Sequence, residues 1–269
     1  MSGSTDKHKD DIRRFGLFRI IEHQANAIVF MALVVSGLSQ RFHDSSAASW
    51  IVMTLGGIDN TRLIHRSTGI LFAFLLLQHI LIACYGVIVK HWPTSMIINL
   101  KDFSDAVDNL RYYFGMTEHP ARCDRYDYKQ KFEYWGVVVG GVLMAATGLT
   151  LWFPAQIFRL IPFLPGQIIP AAKVAHSNEA MLAFLVIVIW HIYNSVFSPE
   201  VFPLDTAIFT GYISKERMIH EHPIEYERIT GIKLDGHSHT NDIAVPEDTP
   251  AHTDGMEETE DVRKEGHSP

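Results

Sequence analysis

The chain has 269 residues, 47% of them hydrophobic, and a formal net charge of −7. Residues 235–269 contain ten acidic and two basic residues, so this segment alone carries −8 and the rest of the chain carries +1. The acidity therefore belongs to a tail, which excludes an acidic surface that would select or repel a substrate. The two cysteines, Cys84 in an apolar stretch and Cys123 in a charged loop, argue against a disulfide framework.

Four apolar stretches predict membrane-spanning helices. They are residues 20–38, 63–89, 134–153 and 175–197. Each approaches the ~20 apolar residues that cross a bilayer. The first is not interpreted as a cleavable signal peptide, because its apolar run is long and contains His23 and Asn26. We therefore predict an all-α fold, a transmembrane four-helix bundle, and see no internal sequence repeat.

The lysines and arginines of the connections predict the orientation. Residues 1–19 have five, residues 90–131 have seven and residues 198–269 have six, whereas residues 43–61 have none and residues 154–173 have two. Because positively charged segments stay in the cytoplasm, both termini and the 90–131 connection are expected there. The expected location is a bacterial-type inner (plasma) membrane, crossed several times.

The segments outside the spans have their own signals. Residues 96–114 place apolar side chains at helical spacing with charges between them, which predicts an amphipathic interfacial helix at the inner surface. Residues 157–170 contain three prolines and are expected at the outer interface. We expect a cytoplasmic N-terminal segment (1–16) and a four-span domain (17–200). A cytoplasmic segment (201–234) and a disordered acidic tail (235–269) are expected to follow.

Five histidines lie inside the apolar stretches, where an ionisable side chain is costly and usually functional. The second span contains His65 and His79, fourteen positions apart, the fourth contains His176 and His191, fifteen positions apart, and His23 opens the first. At ~1.5 Å per residue, the members of each pair differ in depth by about 21–22 Å. With the expected orientation, His65 and His176 form an outer layer, and His23, His79 and His191 form an inner layer.

Two layers of histidines predict two haem groups, because imidazole is a preferred axial ligand of haem iron. Without a C-x-x-C-H sequence, such haem would be b-type and held by axial ligands and packing. The outer pair is nearly forced, whereas spacing does not select two ligands from the three inner histidines. Fifteen helical steps leave His176 and His191 about 60° apart, so a helix irregularity is expected between them.

Several nearby residues have more than one expected role. Gly37 and Gly69 leave room for a porphyrin or serve ordinary helix packing. Glu179 orients a ligand histidine, lies in a proton path or pairs with Lys173. The arginines at the span ends neutralise haem propionates or simply mark the membrane boundary: Arg14, Arg19, Arg62 and Arg66.

A set of short motifs follows in order along the chain. On the spans they are Arg19-Ile-Ile-Glu-His23 with Ser36-Gly37, Arg62-Leu-Ile-His65 with Gly69, Thr147-Gly148 with Trp152, and His176 with Trp190-His191-Ile-Tyr193. Off the spans they are Tyr126-Asp-Tyr-Lys-Gln-Lys131 before Tyr134-Trp135, Gly211-Tyr-Ile-Ser, His220-Glu-His222-Pro223 and Tyr226. Over residues 13–228, the set resembles the four-helix di-haem cytochrome b subunits of membrane-bound formate dehydrogenases, nickel-iron hydrogenases and thiosulfate reductases.

The resemblance implies a ligand set. The outer haem would be held by His65 and His176, and the inner haem by His23 and His191. His79 matches no ligand of the formate dehydrogenase pattern, so it would be an alternative inner ligand, a contact to a third haem or to a quinone, or a polar bridge between helices.

The resemblance also implies a quinone site near the inner haem, for menaquinone or another quinone. The matching positions at the start of the third span are Asp127, Lys129 and Gln130. Asp127 stands where the family pattern has asparagine and Lys129 where it has glycine, which weakens the match, although an aspartate could accept a proton from the quinol.

The expected function is electron transfer between a quinone pool and a redox partner at the outer face, an iron–sulfur or multihaem cytochrome subunit. The chain has no C-x-x-C set, no G-x-G-x-x-G and no P-loop, so substrate chemistry is expected on other subunits, and the chain itself offers at most a quinone/quinol site. Two alternatives stay open. One is a stand-alone transmembrane ferric or metal reductase, and the other is a haem-free transporter that uses the histidines as a relay.

Overall fold

The computed structural model describes residues 11–199 and 201–234, and helices dominate them. In chain order the elements are β1 (Ile12–Arg13), α1 (Leu17–Arg41), α2 (Ser46–Thr54), α3 (Ile58–Ile88), α4 (Leu100–Tyr113), α5 (Tyr128–Trp152), α6 (Pro154–Leu160), α7 (Ile168–Leu185, continued by π-helical turns at Val186–His191 and Tyr193–Phe197), α8 (Ala207–Thr210), β2 (Tyr212–Ile213), α9 (Lys215–Glu221) and α10 (Pro223–Thr230). The predicted acidic tail lies outside the described residues, as do residues 1–10 of the predicted N-terminal segment.

The four predicted spans are confirmed. Within the described part of the chain, α1, α3, α5 and α7 are the helices long and apolar enough to cross a membrane. Three of them start well before the predicted boundary, α3 at Ile58, α5 at Tyr128 and α7 at Ile168. The segment 157–170, expected as a separate interfacial piece, is therefore divided between α6 and the start of α7. Pro170 fits there because the first helical turn has no intrahelical partner for an N–H.

The spans form two antiparallel hairpins that pack side by side. In the α1–α3 hairpin, Ser36 contacts His65 and Glu22 contacts His79. Ser36 and Glu22 are separated on α1 by the same number of residues as His65 and His79 on α3, and the two helices run in opposite directions. This is the register of an antiparallel pair.

The α5–α7 hairpin repeats this register with one extra position in α7. Thr147 contacts His176, and Glu133 contacts His191. The separation of the two histidines on α7 is therefore one residue longer than that of Glu133 and Thr147 on α5. A π-helical turn takes up an extra residue within a helix, and α7 has one at Val186–His191. The expected irregularity between His176 and His191 is confirmed.

The two hairpins are related by a structural repeat with a constant offset in residue number. Helices α1 and α5 each have 25 residues, and they begin at Leu17 and Tyr128. The contact residues recur at the same offset: Glu22, Ser36, Gly37 and His65 correspond to Glu133, Thr147, Gly148 and His176. We see no internal repeat in the sequence, and the contacts between helices reveal this one. The repeat rests on so few positions that it does not stand out against the varied apolar residues around it.

Helix α4 confirms the predicted amphipathic helix and presents its apolar side outward. Leu100 and Phe103 are 88% and 66% exposed, whereas Asp102 and Asp105 are buried. The buried carboxylates accept hydrogen bonds from Lys131 and Lys101, each at 2.7 Å. Such an exposed apolar stripe above a satisfied polar side is the pattern of a helix that lies in a membrane interface.

A small cap closes the end of the bundle at which α1 begins. This basal cap comprises residues 12–14, 122–126 and 207–234. Its core is formed by Ile213, Met218 and Tyr226. Strand β1 pairs antiparallel with β2, which ties the start of the chain to the segment after the last span.

Candidate functional site

The outer layer brings the predicted histidines face to face. His65 of α3 and His176 of α7 have ring centres 6.3 Å apart, with ring planes at 84°. Both rings project between the two hairpins, so the depth argument from spacing correctly placed them together.

A hydroxyl group orients each outer imidazole. The Nδ1 atom of His65 lies 3.0 Å from Ser36 Oγ, and that of His176 lies 3.0 Å from Thr147 Oγ1. Each hydroxyl donates its own proton to the main-chain carbonyl four residues earlier, at 2.6 and 2.7 Å. With the hydroxyl protons assigned to the carbonyls, the hydroxyl oxygens accept from Nδ1–H, and this tautomer leaves Nε2 of both rings unprotonated with a lone pair available.

Two glycines give these rings their space. A Cβ atom at Gly37 would lie 3.1 Å from His65 Cε1, and one at Gly148 would lie 3.2 Å from His176 Cε1. Larger residues would push the imidazoles away from the neighbouring helix. Gly37 thus belongs to the outer layer as expected, while a Cβ atom at Gly69 would meet no other atom within 4 Å among the described residues.

The inner layer contains a second facing pair. His23 of α1 and His191 of α7 have ring centres 6.1 Å apart, with ring planes at 34°. The Nδ1 atom of His191 lies 2.7 Å from a carboxylate oxygen of Glu133. The Nδ1 atom of His23 is buried and has no hydrogen-bond partner within residues 11–199 and 201–234.

His79 faces neither of these histidines. Its Nε2 atom lies 3.0 Å from the Tyr134 hydroxyl, and its Nδ1 atom lies 3.0 Å from Glu22 Oε1. Glu22 also accepts a hydrogen bond from Arg19 at 2.6 Å. Both ring nitrogens are therefore engaged, and His79 links α1, α3 and α5 in the manner of a polar bridge between helices.

The arginines near the layers already have partners. The guanidinium of Arg66 stacks over the Trp152 ring, 5.5 Å from its centre. Arg62 pairs with Asp59 at 3.4 Å on an exposed surface. Arg14 is buried in the basal cap and pairs with Glu225, so it points to the cap and not to the bundle.

Glu179 does not pair with Lys173 in the described part of the chain, where its carboxylate lies against the backbone of Gly140 on α5. A separation of six residues places the two side chains on different faces of α7. The group that contacts His176 Nδ1 is the Thr147 hydroxyl, and a place of Glu179 in a proton path stays a prediction.

The residues predicted for a quinone form the start of α5. Asp127 accepts a hydrogen bond from the Gln130 main-chain N–H at 2.7 Å, and Gln130 Oε1 accepts one from the Asp127 N–H at 3.3 Å. This reciprocal pair is a capping box that satisfies free N–H groups of the helix end. Lys129 Nζ lies 3.6 Å from Asp127. A role of these residues toward a quinone stays a prediction.

Four side chains of the site were not identified as functional from the sequence: Ser36, Thr147, Glu133 and Tyr134. A signal for two of them exists, since Ser36 and Thr147 are each followed by glycine and each precede an outer histidine at the same sequence separation, 29. The carboxylates give a second signal, because Glu133 precedes Thr147 by the same number of residues as Glu22 precedes Ser36. Recognising either signal requires knowledge that the hairpins are antiparallel and in this register.

Comparison with known proteins identifies the family. Residues 14–211 match the family described as prokaryotic cytochrome b561. The chain belongs to this family. It is therefore a membrane cytochrome b of electron transport, and the family implies haem b. The cytochrome b556(fdo) subunits of formate dehydrogenase from three strains of Escherichia coli are similar to it, with 25% identity over 227 residues, 83% of this chain and 95% of the relative. The resemblance seen in the motifs is confirmed.

Proposed function

We propose that this cytochrome b conducts electrons through two b-type haems, one held by His65 and His176 and the other by His23 and His191. The separation of the paired rings carries the proposal. An imidazole nitrogen binds a metal ion at about 2.0 Å, so two imidazoles on opposite sides of one iron have ring centres roughly 6.2 Å apart. The two pairs are separated by 6.3 and 6.1 Å.

The surroundings of the rings fit the same group. In the outer layer, both Nε2 atoms carry free lone pairs, and Gly37 and Gly148 leave space beside the rings. When bound, haem would supply a one-electron carrier, and the two imidazoles of each pair would hold its iron, a ligand set that suits electron transfer better than oxygen chemistry. The chain's own part is to hold the rings at fixed separation and to keep the proton on Nδ1.

We propose two haems and not three because both ring nitrogens of His79 are hydrogen-bonded to protein groups. Its two ring nitrogens make hydrogen bonds to Glu22 and Tyr134, and the Tyr134 hydroxyl lies 3.0 Å from Nε2, the atom that would bind iron. A third haem on His79 would require the bond between Nε2 and the Tyr134 hydroxyl to break.

We assign the basal cap to the cytoplasmic side. The connection with the most lysines and arginines, residues 90–131, lies at this end of the bundle, and so does α4 with its outward apolar stripe. A quinone, menaquinone or another, would exchange electrons with the inner layer near the start of α5. Asp127 is six residues before Glu133, about 9 Å along the helix axis, where a carboxylate could take a proton from a quinol.

The partner is proposed from the relatives. The Escherichia coli proteins are subunits of formate dehydrogenase, so we propose that this chain also works with a catalytic partner, an iron–sulfur or multihaem subunit, at the outer face. Gentle purification of a tagged chain in mild detergent tests this: such a subunit is expected to co-purify. Isolation of the chain alone, with external ferric iron reduced at full rate, would favour the stand-alone reductase.

The haem proposal is tested by a pyridine haemochrome assay and a reduced-minus-oxidised spectrum of the purified protein. We expect two haems per chain and b-type bands. His65→Ala and His176→Ala should each remove the same haem and retain the other. His43→Ala is the matched control, because this exposed histidine pairs only with Asp44 among the described residues. A protein without b-type bands, or two variants that lose different haems, would overturn the assignment.

A further inference from the structure

The two histidine pairs differ in what accepts their Nδ1 protons. In the outer layer both acceptors are uncharged hydroxyl oxygens, each 3.0 Å from the ring nitrogen. In the inner layer the acceptor of His191 is the Glu133 carboxylate, at the shorter distance of 2.7 Å. The inner pair therefore has a charged group hydrogen-bonded to a ring, and the outer pair has none among the described residues.

The charge of Glu133 is less compensated than that of its counterpart in the other hairpin. Glu22 shares its charge with Arg19, 2.6 Å away, and with His79. The position equivalent to Arg19 in the repeat is Gln130, which is uncharged and engaged in the capping box of α5. For Glu133 the ion pair found within the described residues is the one with His191. Its negative charge therefore acts directly on that imidazole.

A carboxylate acceptor changes a ligand in two ways that add up. It makes the imidazole more basic, which strengthens donation to the metal, and it fixes the ring orientation. Its charge also lies close to the iron position at low dielectric, where it stabilises the oxidised, more positive state. Hydrogen bonding and charge around the axial ligand are established means of tuning a haem potential.

We infer that Glu133 is a positioning residue for His191 and that it sets the reduction potential of the inner haem below that of the outer haem. This inference rests on the proposed function, because it assumes that His23 and His191 hold the inner haem. Such an ordering favours electron flow from the inner to the outer layer.

The experiment is a potentiometric titration of the purified, full-length, haem-loaded protein, followed at the α-band. Two one-electron waves are expected. His65→Ala removes the outer haem under the proposed function, and the wave that remains should be the lower of the two. If the remaining wave is the higher one, the inference is overturned. If His65→Ala retains two haems or loses both, the proposed function itself fails, and the two failures are distinguishable.

Two substitutions then separate the charge of Glu133 from its geometry. Glu133→Gln keeps an oxygen acceptor but removes the charge, so the inner midpoint potential should rise while both haems stay bound. We expect roughly a tenfold change in the reduced-to-oxidised ratio at a fixed potential, about 59 mV for one electron. Glu133→Leu removes the acceptor as well and should also weaken retention of the inner haem. The outer wave in the same molecule is the internal control, and an unchanged inner wave in Glu133→Gln would refute the role.

Discussion

Thr147 offers the sharpest test of the outer site, because its single hydroxyl group orients His176. In Thr147→Val the side chain keeps nearly the same shape, but the acceptor for His176 Nδ1–H, now 3.0 Å away, is lost. Leaving such a donor unsatisfied in an apolar region costs about 1–3 kcal/mol. Loss of a group that orients a metal ligand typically lowers affinity by about 10–100-fold, which corresponds to about 1.4–2.7 kcal/mol. The two estimates agree, so the outer haem should be held about 10–100-fold more weakly.

The assay is transfer of haem from the purified protein to an excess of a haem-binding acceptor protein, followed by absorbance. We expect one haem to leave faster in Thr147→Val while the other leaves at its normal rate. Thr150→Val is a matched control on the same helix, since that hydroxyl is exposed and donates only to the carbonyl four residues earlier, at 2.8 Å. Equal retention of both haems in Thr147→Val, or equal loss in both variants, would refute the proposed role of the hydroxyl.

The other predictions concern the inner layer, the quinone site and the basal cap. His79→Phe should retain two haems per chain in the pyridine haemochrome assay, because the proposed ligand set leaves out His79, whose ring nitrogens are hydrogen-bonded to Glu22 and Tyr134; loss of one haem would contradict this. Asp127→Asn should keep α5 capped, since asparagine caps as well as aspartate, while quinol oxidation by the purified protein slows at unchanged haem content, because the amide takes up no proton; an unchanged rate would refute proton uptake by Asp127, since asparagine is the residue of the family pattern at this position. In the cap, burial and then the nearby Arg14 lower the pKa of His222 to about 3. The unfolded chain, with a pKa of 6.5, is protonated first, so stability is full above pH 6.5 and falls by up to about 1.4 kcal/mol per pH unit towards pH 3. His222→Gln should flatten this dependence of thermal unfolding on pH, and an unchanged slope would mean that other groups cause it.

The spans and the histidine layers could be predicted because both depend on properties local to one helix. Hydropathy over about 20 residues fixes a span, and a rise of ~1.5 Å per residue fixes the relative depth of two side chains on it. His65 and His176 were paired correctly because each was the only histidine at that depth on its span.

The inner layer could not be resolved in the same way, because three histidines share one depth. The choice among them depends on how α1, α3 and α5 are rotated about their axes relative to α7. Spacing along one helix contains no information about that rotation. The structure turns His23 towards His191 and His79 towards Tyr134, and Tyr134 gave no signal on its own because aromatic residues are common in apolar helices.

The basal cap and α2 were missed for a different reason. Strands β1 and β2 have two residues each and come from opposite ends of the described chain. No periodicity can develop over two residues, and only the pairing of Ile12 with Ile213 and of Arg13 with Tyr212 defines the strands. Helix α2 is nine residues long and begins at a serine cap, Ser45, within a run of small residues that has no amphipathic pattern.

The repeat explains why the two layers of one bundle differ. In the outer layer, the repeat relates His65 to His176, so the two hairpins contribute equivalent ligands, each with a hydroxyl acceptor and a glycine beside it. In the inner layer, His191 corresponds to His79, once the extra residue of the π-helical turn is counted, but the position equivalent to His23 is Tyr134.

The inner layer therefore contains two positions that the repeat relates and that hold different residue pairs. At one position His191 faces His23, with a separation of the ring centres that fits an iron between them. At the other, His79 is hydrogen-bonded directly to the Tyr134 hydroxyl. Because this position holds a tyrosine, the bundle contains two facing histidine pairs and not three among the described residues. The carboxylates diverge in parallel, since Glu22 is neutralised by Arg19 while Glu133 keeps its charge for the histidine that is proposed as a ligand. Under the proposed ligand set, the same substitutions that limit the number of haems also make the inner one electrostatically different from the outer.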